Sequence, residues 1–149
     1  MMSEFPSVTA YLSWDHDRLD ALLAQAFEPV LRGDLAAALP VFEQLAEGLL
    51  RHIRIEEEIL FPVFEQRSGM ISGPTQVMRM EHRVLQRVLN RMREALVAGD
   101  AEAARLGHDD LVEILVAHHV KEEEVLYPLT DRSLPEQDRV ELTRKLVEA

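Results

Sequence analysis

The stretch HIRIEEEILFP, residues 52–62, decides the fold of this chain, because it recurs as HHVKEEEVLYP at residues 118–128. A shift of 66 positions superposes the two copies without a gap, and the same shift carries the upstream His16 onto His82. The chain is therefore built from two similar halves. Each half carries two histidines and a glutamate in the same order.

The apolar pattern is helical in four segments, each with core-type residues at alternating steps of four and three. It predicts an all-α, up-down-up-down four-helix bundle with the repeated His and Glu residues on the buried seams. The predicted core positions are Leu12, His16, Leu19, Leu23, Ala26 and Val30; Phe42, Leu45, Leu49, His52, Glu56, Ile59 and Val63; Met78, His82, Leu85, Leu89, Met92 and Leu96; and Leu111, Leu115, His118, Glu122, Val125 and Leu129.

Turn and cap residues divide the segments. Gly33 and Gly99 suit the position just after a helix, and the aspartates that follow them suit the N-cap of the next helix, so each half forms a short helical hairpin. Pro40 and Pro62 fall inside the second segment, where we expect a bend or early fraying. Ser133 begins a capping-box pattern that predicts a short fifth helix.

Length and composition indicate one globular domain over residues 1–149, with the bundle at about 8–131, Pro74 in the first turn of its third helix, and the last helix at about 134–148. The hydrophobic fraction is 47%, but no apolar run approaches the ~20 residues of a membrane span. The N-terminal stretch lacks the basic and apolar regions of a secretory signal. We therefore expect a cytoplasmic protein with no membrane partner.

Two further features exclude classes of function. The chain has no cysteine, which excludes disulfides, thiolate-bound zinc and iron–sulfur clusters, so any metal must be held by nitrogen and oxygen. The formal charge of −11 argues against nucleic acid as a partner, because phosphate contacts need clustered Lys and Arg. The oligomeric state does not follow from the sequence.

The repeated His-x-x-x-Glu pairs predict a metal centre. A single pair of this kind is more often a helix-stabilising contact, since side chains four positions apart share one helix face. On a buried seam, however, an imidazole and a carboxylate in each half would cost several kcal/mol without a partner, and a bound cation removes that cost. The hairpins place all four histidines at similar heights. The candidate metal ligands are His16, His52, Glu56, His82, His118 and Glu122.

Four imidazoles and two carboxylates suit iron, with manganese or zinc ranked lower and calcium or magnesium disfavoured. Two six-coordinate iron ions that share these side chains and one oxo or hydroxo bridge would keep about two positions open. Open positions indicate that a small molecule such as O2, NO or peroxide binds there.

The motifs resemble those of the hemerythrin-like, or HHE, cation-binding family. The resemblance rests on DHDRL at residues 15–19, MEHRVL at 80–85 and the two repeated stretches, which together span nearly the whole helical body. It implies that His16 and His52 bind one iron, that His82 and His118 bind the other, and that Glu56 and Glu122 bridge them.

One position departs from the oxygen carriers of that family, which have a second histidine on the third helix where this chain has Gln86. The four-His, two-Glu set is more similar to the hemerythrin domains of bacterial iron-centre repair proteins, which carry an additional cysteine-containing domain. We expect binding of O2, NO or peroxide for sensing, carriage or stress response. The alternatives are an enzyme that consumes peroxide or NO, iron storage or donation for iron-centre repair, and a metal-free interaction bundle.

Other polar side chains near the motifs are predicted to lie outside the centre. His119 points about 100° away from His118 around the helix, toward solvent, whereas His108 falls on the buried seam but lies ~15 Å from His118, too far to join the centre. A set of acidic residues is also predicted to be exposed to solvent, in preference to orienting the imidazoles or replacing a ligand. The set is Asp15, Asp17, Glu57, Glu58, Glu81, Glu123 and Glu124.

Overall fold

A computed structural model describes residues 5–149, so the first four positions of the predicted domain and of the N-terminal stretch lie outside the described residues. All regular structure within the described range is helical. The α-helices are α1 (Val8–Leu31), α2 (Leu35–Ile55), α3 (Phe61–Ser68), α4 (Pro74–Ala98), α5 (Ala101–Lys121), α6 (Tyr127–Arg132) and α7 (Glu136–Glu148), with π-helix π1 (Glu56–Leu60) between α2 and α3 and π2 (Glu122–Leu126) between α5 and α6.

The two predicted hairpin turns are confirmed. Gly33 and Gly99 have φ angles of 78° and 74°, a conformation that a side chain would strain. Asp34 and Asp100 then cap α2 and α5, each accepting a hydrogen bond from the backbone N–H three residues later. Pro74 begins α4, as predicted.

The four long helices form the predicted bundle, in which α1 and α4 each pack against both α2 and α5. Two apolar clusters fill its interior. One lies toward the hairpin turns and includes Phe42 and Leu115, and the other lies at the opposite end and includes Phe64 and Leu146. The polar candidate ligands separate the two clusters, so water is excluded from above and below them.

Each copy of the repeated stretch passes through a π-helix without interrupting the helical rod. The backbone N–H of Phe61 donates to the carbonyl of Glu56, five residues earlier, and the second half repeats this bond. The wider π turn lets Pro62 follow without its ring colliding with the carbonyl four residues back. The fraying expected at both prolines is wrong, because α2 runs through Pro40 and π1 continues directly into α3 at Pro62.

The π-helices shift the core register by one residue beyond Glu56 and Glu122. The predicted core positions after each glutamate are only partly buried or are exposed, and the residue after each of them is buried instead. The extra residue in the π turn rotates the following helix and causes this correction. The buried residues are Leu60, Phe64, Leu126 and Thr130, in place of Ile59, Val63, Val125 and Leu129.

The C-terminal helix closes the bundle end that lies away from the hairpin turns. Leu142 and Leu146 of α7 join the apolar cluster there, and the guanidinium of Arg51 donates to the carbonyl of Leu146 at 3.2 Å. The predicted capping box at Ser133 is wrong, because that hydroxyl donates to the carbonyl of Thr130 and α7 begins only at Glu136. Within residues 5–149, no helix has the length and apolar character needed to cross a membrane.

Candidate metal centre

The structure brings all six candidate ligands together in the polar layer between the two apolar clusters. Each of the six is at most 2% exposed. Their ligand atoms form two groups, within each of which all atoms lie inside 4.8 Å of one another. The first group is His16, His52, Glu56 and Glu122, and the second is His82, His118, Glu56 and Glu122.

The two glutamates connect the groups. Oε2 of Glu56 lies 3.4 Å from Nε2 of His52, and its Oε1 lies 3.0 Å from Nε2 of His82. Glu122 faces the other two histidines in the same way, at 3.1 and 3.4 Å. Each carboxylate therefore has one oxygen in each half of the molecule, which is the arrangement of a bridging ligand.

Three buried atoms of this layer show that the donor set fits a cation. Oε1 of Glu56, Nε2 of His82 and Oε2 of Glu122 have no hydrogen-bond partner among the residues of the described range. The first two lie 3.0 Å apart, yet their orientation does not form a hydrogen bond. A buried polar atom without a partner costs about 1–3 kcal/mol, and a metal ion bound by all three would remove that cost.

Each of the four histidines also contacts a carboxylate on its outer side. Nδ1 of His16 lies 2.6 Å from Oε2 of Glu123, and Nδ1 of His82 lies 2.7 Å from Oε2 of Glu57. The two pairs are related by the repeat. A carboxylate that accepts the Nδ1–H leaves Nε2 as the nitrogen that faces the interior of the layer and can bind a metal.

The other two histidines have the same arrangement with an added cation. Nδ1 of His52 lies 2.8 Å from Oδ2 of Asp15, whose other oxygen accepts from the guanidinium of Arg18 at 2.8 Å. In the second half, Nδ1 of His118 lies 2.8 Å from Glu81, which also accepts from Lys121. Burial alone would raise the pKa of Asp15, but the hydrogen bonds from His52 and Arg18 lower it to about 2. Asp15 is therefore a carboxylate at neutral pH.

These contacts correct the prediction that solvent surrounds the neighbouring acidic residues. Asp15 is buried, and the other three outer carboxylates are partly buried against a histidine. The remaining acidic residues, Asp17, Glu58 and Glu124, are exposed as predicted. The repeat contained the missing signal, since the shift of 66 positions also pairs Asp15 with Glu81 and Glu57 with Glu123.

Removing an outer carboxylate is expected to weaken metal binding. Asp15→Asn keeps the shape of the side chain but removes the charge that holds His52 in its metal-binding tautomer, so we expect about 10- to 100-fold weaker binding. Competition with a chromophoric chelator measures the affinity. Asp17→Asn, at an exposed position two residues away, is the matched control. Equal affinity of the two variants would contradict the role of Asp15.

The prediction that His119 faces solvent is also wrong. His119 is 7% exposed and its ring stacks on that of His16, with centroids 3.6 Å apart. Burial and repulsion by the neighbouring imidazoles lower the pKa of His119 to about 2, so it is neutral. His108 stacks on Phe27, away from the centre as predicted.

Tyr127 is the residue of the site that sequence reasoning missed. Its hydroxyl oxygen lies 2.5 Å from Oε2 of Glu56, 2.9 Å from Oε1 of Glu122, and 3.1 and 3.3 Å from Nε2 of His16 and His52. The sequence shows a tyrosine in the repeated stretch, but the predicted core positions after Glu122 were Val125 and Leu129, which left Tyr127 off the buried face. Only the π-helix turns it toward the centre.

Without a metal ion, burial and the neighbouring carboxylates shift the pKa values of two histidines in the layer. Burial lowers the pKa of His52, but attraction to Glu56 and the hydrogen bond to Asp15 outweigh burial and raise that pKa to about 10. Burial likewise lowers the pKa of His118, and its contacts with Glu122 raise the pKa to about 9. In the metal-free protein at neutral pH, both imidazoles hold an extra proton.

Metal uptake is therefore expected to release at least two protons per chain at neutral pH, because His52 and His118 must each lose a proton before Nε2 can bind a metal. Since both pKa values lie above neutrality, apparent affinity should rise with pH up to about 9 to 10. Titration calorimetry in two buffers with different ionisation enthalpies counts the protons. Binding heats that do not depend on the buffer would contradict the expected release.

Comparison with known proteins agrees with this geometry. The family model described as Hemerythrin HHE cation binding domain matches residues 7–130, from the N-cap of α1 into α6, a range that contains all six candidate ligands. Comparisons with curated proteins and with solved structures found no match. The chain belongs to the hemerythrin HHE cation-binding domain family.

Proposed function

We propose that the chain holds two iron ions in this layer and binds O2, NO or peroxide there, as a sensor, carrier or stress-response protein. His16 and His52 would hold the ion at the first position, and His82 and His118 the ion at the second. Glu56 and Glu122 would bridge them. We propose that residues 1–149 form the single domain that carries this function.

The proposal rests on one observation above all: four buried histidines direct Nε2 inward while a carboxylate holds each Nδ1 from outside. This is the usual arrangement of metal-binding histidines, in which the outer partner sets the tautomer and the ring orientation. A purely structural core would not need the same pattern four times. It would also not retain the three unpartnered atoms.

Charge and ligand type favour iron. Within the part of the chain that the structure describes, two inner and four outer carboxylates surround the layer, and only Arg18 and Lys121 compensate the outer ones directly. So much negative charge around neutral imidazoles suits a pair of ions carrying two or three charges each. Iron supplies reversible electron transfer and open coordination positions for a diatomic molecule. Manganese and zinc are the competing ions.

The protein environment would control access to the centre. The two apolar clusters cover the layer on both sides, with Leu12 and Met78 toward one end and Leu19 and Leu85 toward the other. These side chains exclude bulk water, which slows hydrolysis and unwanted oxidation. His119, neutral and stacked on His16, holds that ring in place without competing for the metal.

Elemental analysis and a ligand titration test the proposal. We expect about two irons per chain, and anaerobic addition of O2 or NO to the reduced protein should change its visible absorbance. A reversible change supports carriage or sensing, whereas irreversible oxidation supports peroxide or NO consumption or iron donation. A folded protein without bound metal after expression in iron-rich medium would rule out the proposal.

A further inference from the structure

The two proposed metal positions differ in one aromatic side chain. The shift of 66 positions places Tyr127 on Phe61, so the repeat that duplicates the histidines and glutamates does not duplicate the hydroxyl group. Both rings are fully buried, at 0% exposure. The bundle thus keeps the same aromatic shape in both halves and adds one oxygen atom in only one of them.

The position of that oxygen matches a ligand shell. It lies 2.5–3.3 Å from four candidate ligand atoms of the first position. Adjacent ligand atoms of a six-coordinate ion with bonds of ~2.1 Å are about 3 Å apart. Nε2 of His16 and Nε2 of His52 show the same spacing, at 3.1 Å. The hydroxyl oxygen is therefore spaced from the ligand atoms as they are from one another.

We propose that Tyr127 is a fifth protein ligand of the first metal position, bound through its phenolate oxygen, so that small molecules bind at the second position. This inference rests on the proposed function. On coordination, the O–H bond of Tyr127 is replaced by an O–metal bond and the proton passes to solvent. No electron is transferred in this step.

Among residues 5–149, no equivalent donor reaches the second position. The ring of Phe61 stacks parallel to His82 with centroids 5.7 Å apart, and offers only carbon and hydrogen to this side of the centre. An ion held by His82, His118 and the two bridging glutamates thus has one protein ligand fewer than its neighbour. The first position, with an anionic oxygen donor added, should favour iron(III) over iron(II), because oxygen anions are hard ligands.

Spectroscopy of the iron(III)-loaded protein tests this assignment without an activity assay. A phenolate ligand produces a visible phenolate-to-iron charge-transfer band and tyrosinate vibrations in the resonance Raman spectrum. We expect both in the wild type and their loss in Tyr127→Phe. The chain has only two tyrosines, so Tyr11→Phe is the matched control and should keep both signals. Persistence of the band in Tyr127→Phe, or its loss in Tyr11→Phe, would overturn the assignment.

Phe61→Tyr tests the inference in the opposite direction, because it adds a hydroxyl group at the second position. The added hydroxyl should coordinate the second ion, strengthen the charge-transfer band and block the binding of azide as a small-ligand probe, whereas Tyr127→Phe should still bind azide. If Tyr127→Phe does not fold, the Phe61→Tyr result decides, and an unchanged band with unchanged azide binding overturns the assignment. Two irons per chain without a phenolate band overturns this inference alone. A chain that binds no iron overturns the proposed function as well.

Discussion

Glu56→Ala is expected to abolish binding of both metal ions, the largest single effect in this protein. Glu56 is the only one of the π1 glutamates whose two oxygens face histidines of both halves, at 3.4 Å from His52 and 3.0 Å from His82. Its loss would remove a proposed ligand from each position and the proposed bridge between them. We expect less than one metal ion per chain by elemental analysis.

The same change should also destabilise the metal-free fold. Attraction to Glu56 is the largest of the effects that keep the buried His52 protonated, and removing one partner of a buried ion pair costs about 3–5 kcal/mol. Urea unfolding with and without a chelator measures this loss. In a metal-free interaction bundle, the loss relative to wild type would be the same with and without chelator, because no bound ion contributes to the stability of the wild type.

Glu58→Ala is the matched control for Glu56→Ala. Glu58 lies in the same π-helix, has the same charge and is exposed. It should retain both ions and unfold at nearly the wild-type urea concentration, since most exposed substitutions change stability by no more than about 0.5 kcal/mol. Equal metal content in the two variants would contradict the bridging role of Glu56.

Removal of the metal by a chelator is expected to lower the melting temperature by roughly 10–20 °C. An ion present at 100 times its dissociation constant stabilises the native state by about 2.7 kcal/mol, and a chain of this size gains about 2–4 °C per kcal/mol. Two bound ions therefore stabilise the native state by about 5 kcal/mol. Calorimetric melting of loaded, chelated and reloaded protein provides the measurement.

The Glu56→Ala variant serves as the internal control in that experiment, since a chain that binds no metal should melt at one temperature with or without chelator. Reloading with iron should restore the wild-type melting temperature. Coincident melting curves for loaded and chelated wild-type protein would show that the bundle is stable without occupancy of the site, against the large stabilisation expected here.

Much of the centre could be predicted because its geometry is local. Glu56 lies four positions after His52, and this spacing puts both side chains on one helix face whatever the helix packs against. His16 and His52 reach the same height because each is a similar distance from the hairpin turn at Gly33. Helical periodicity, caps and the internal repeat were therefore sufficient to identify the four-helix bundle and the six residues that meet in it.

The remaining parts depend on how the helices are rotated against one another. His16 meets Glu123 across 107 positions of sequence, and a rotation of α1 or π2 by one residue would separate them. Tyr127 reaches the centre only because π2 adds a residue to the turn before it. The sequence pattern does not determine such a one-residue shift in helix register, because the residues next to the correct position are also apolar or acidic.

By itself, the sequence determined the helical class, the two hairpins, the metal-binding character and the six residues that meet in the polar layer, because these follow from spacing along a regular helix. Only the tertiary structure decided which carboxylate holds each imidazole, that His119 is buried, and that the two halves differ by one hydroxyl group. Those features are contacts between helices, and their geometry is chosen by the packing of the whole core, where every helix must satisfy its neighbours at once.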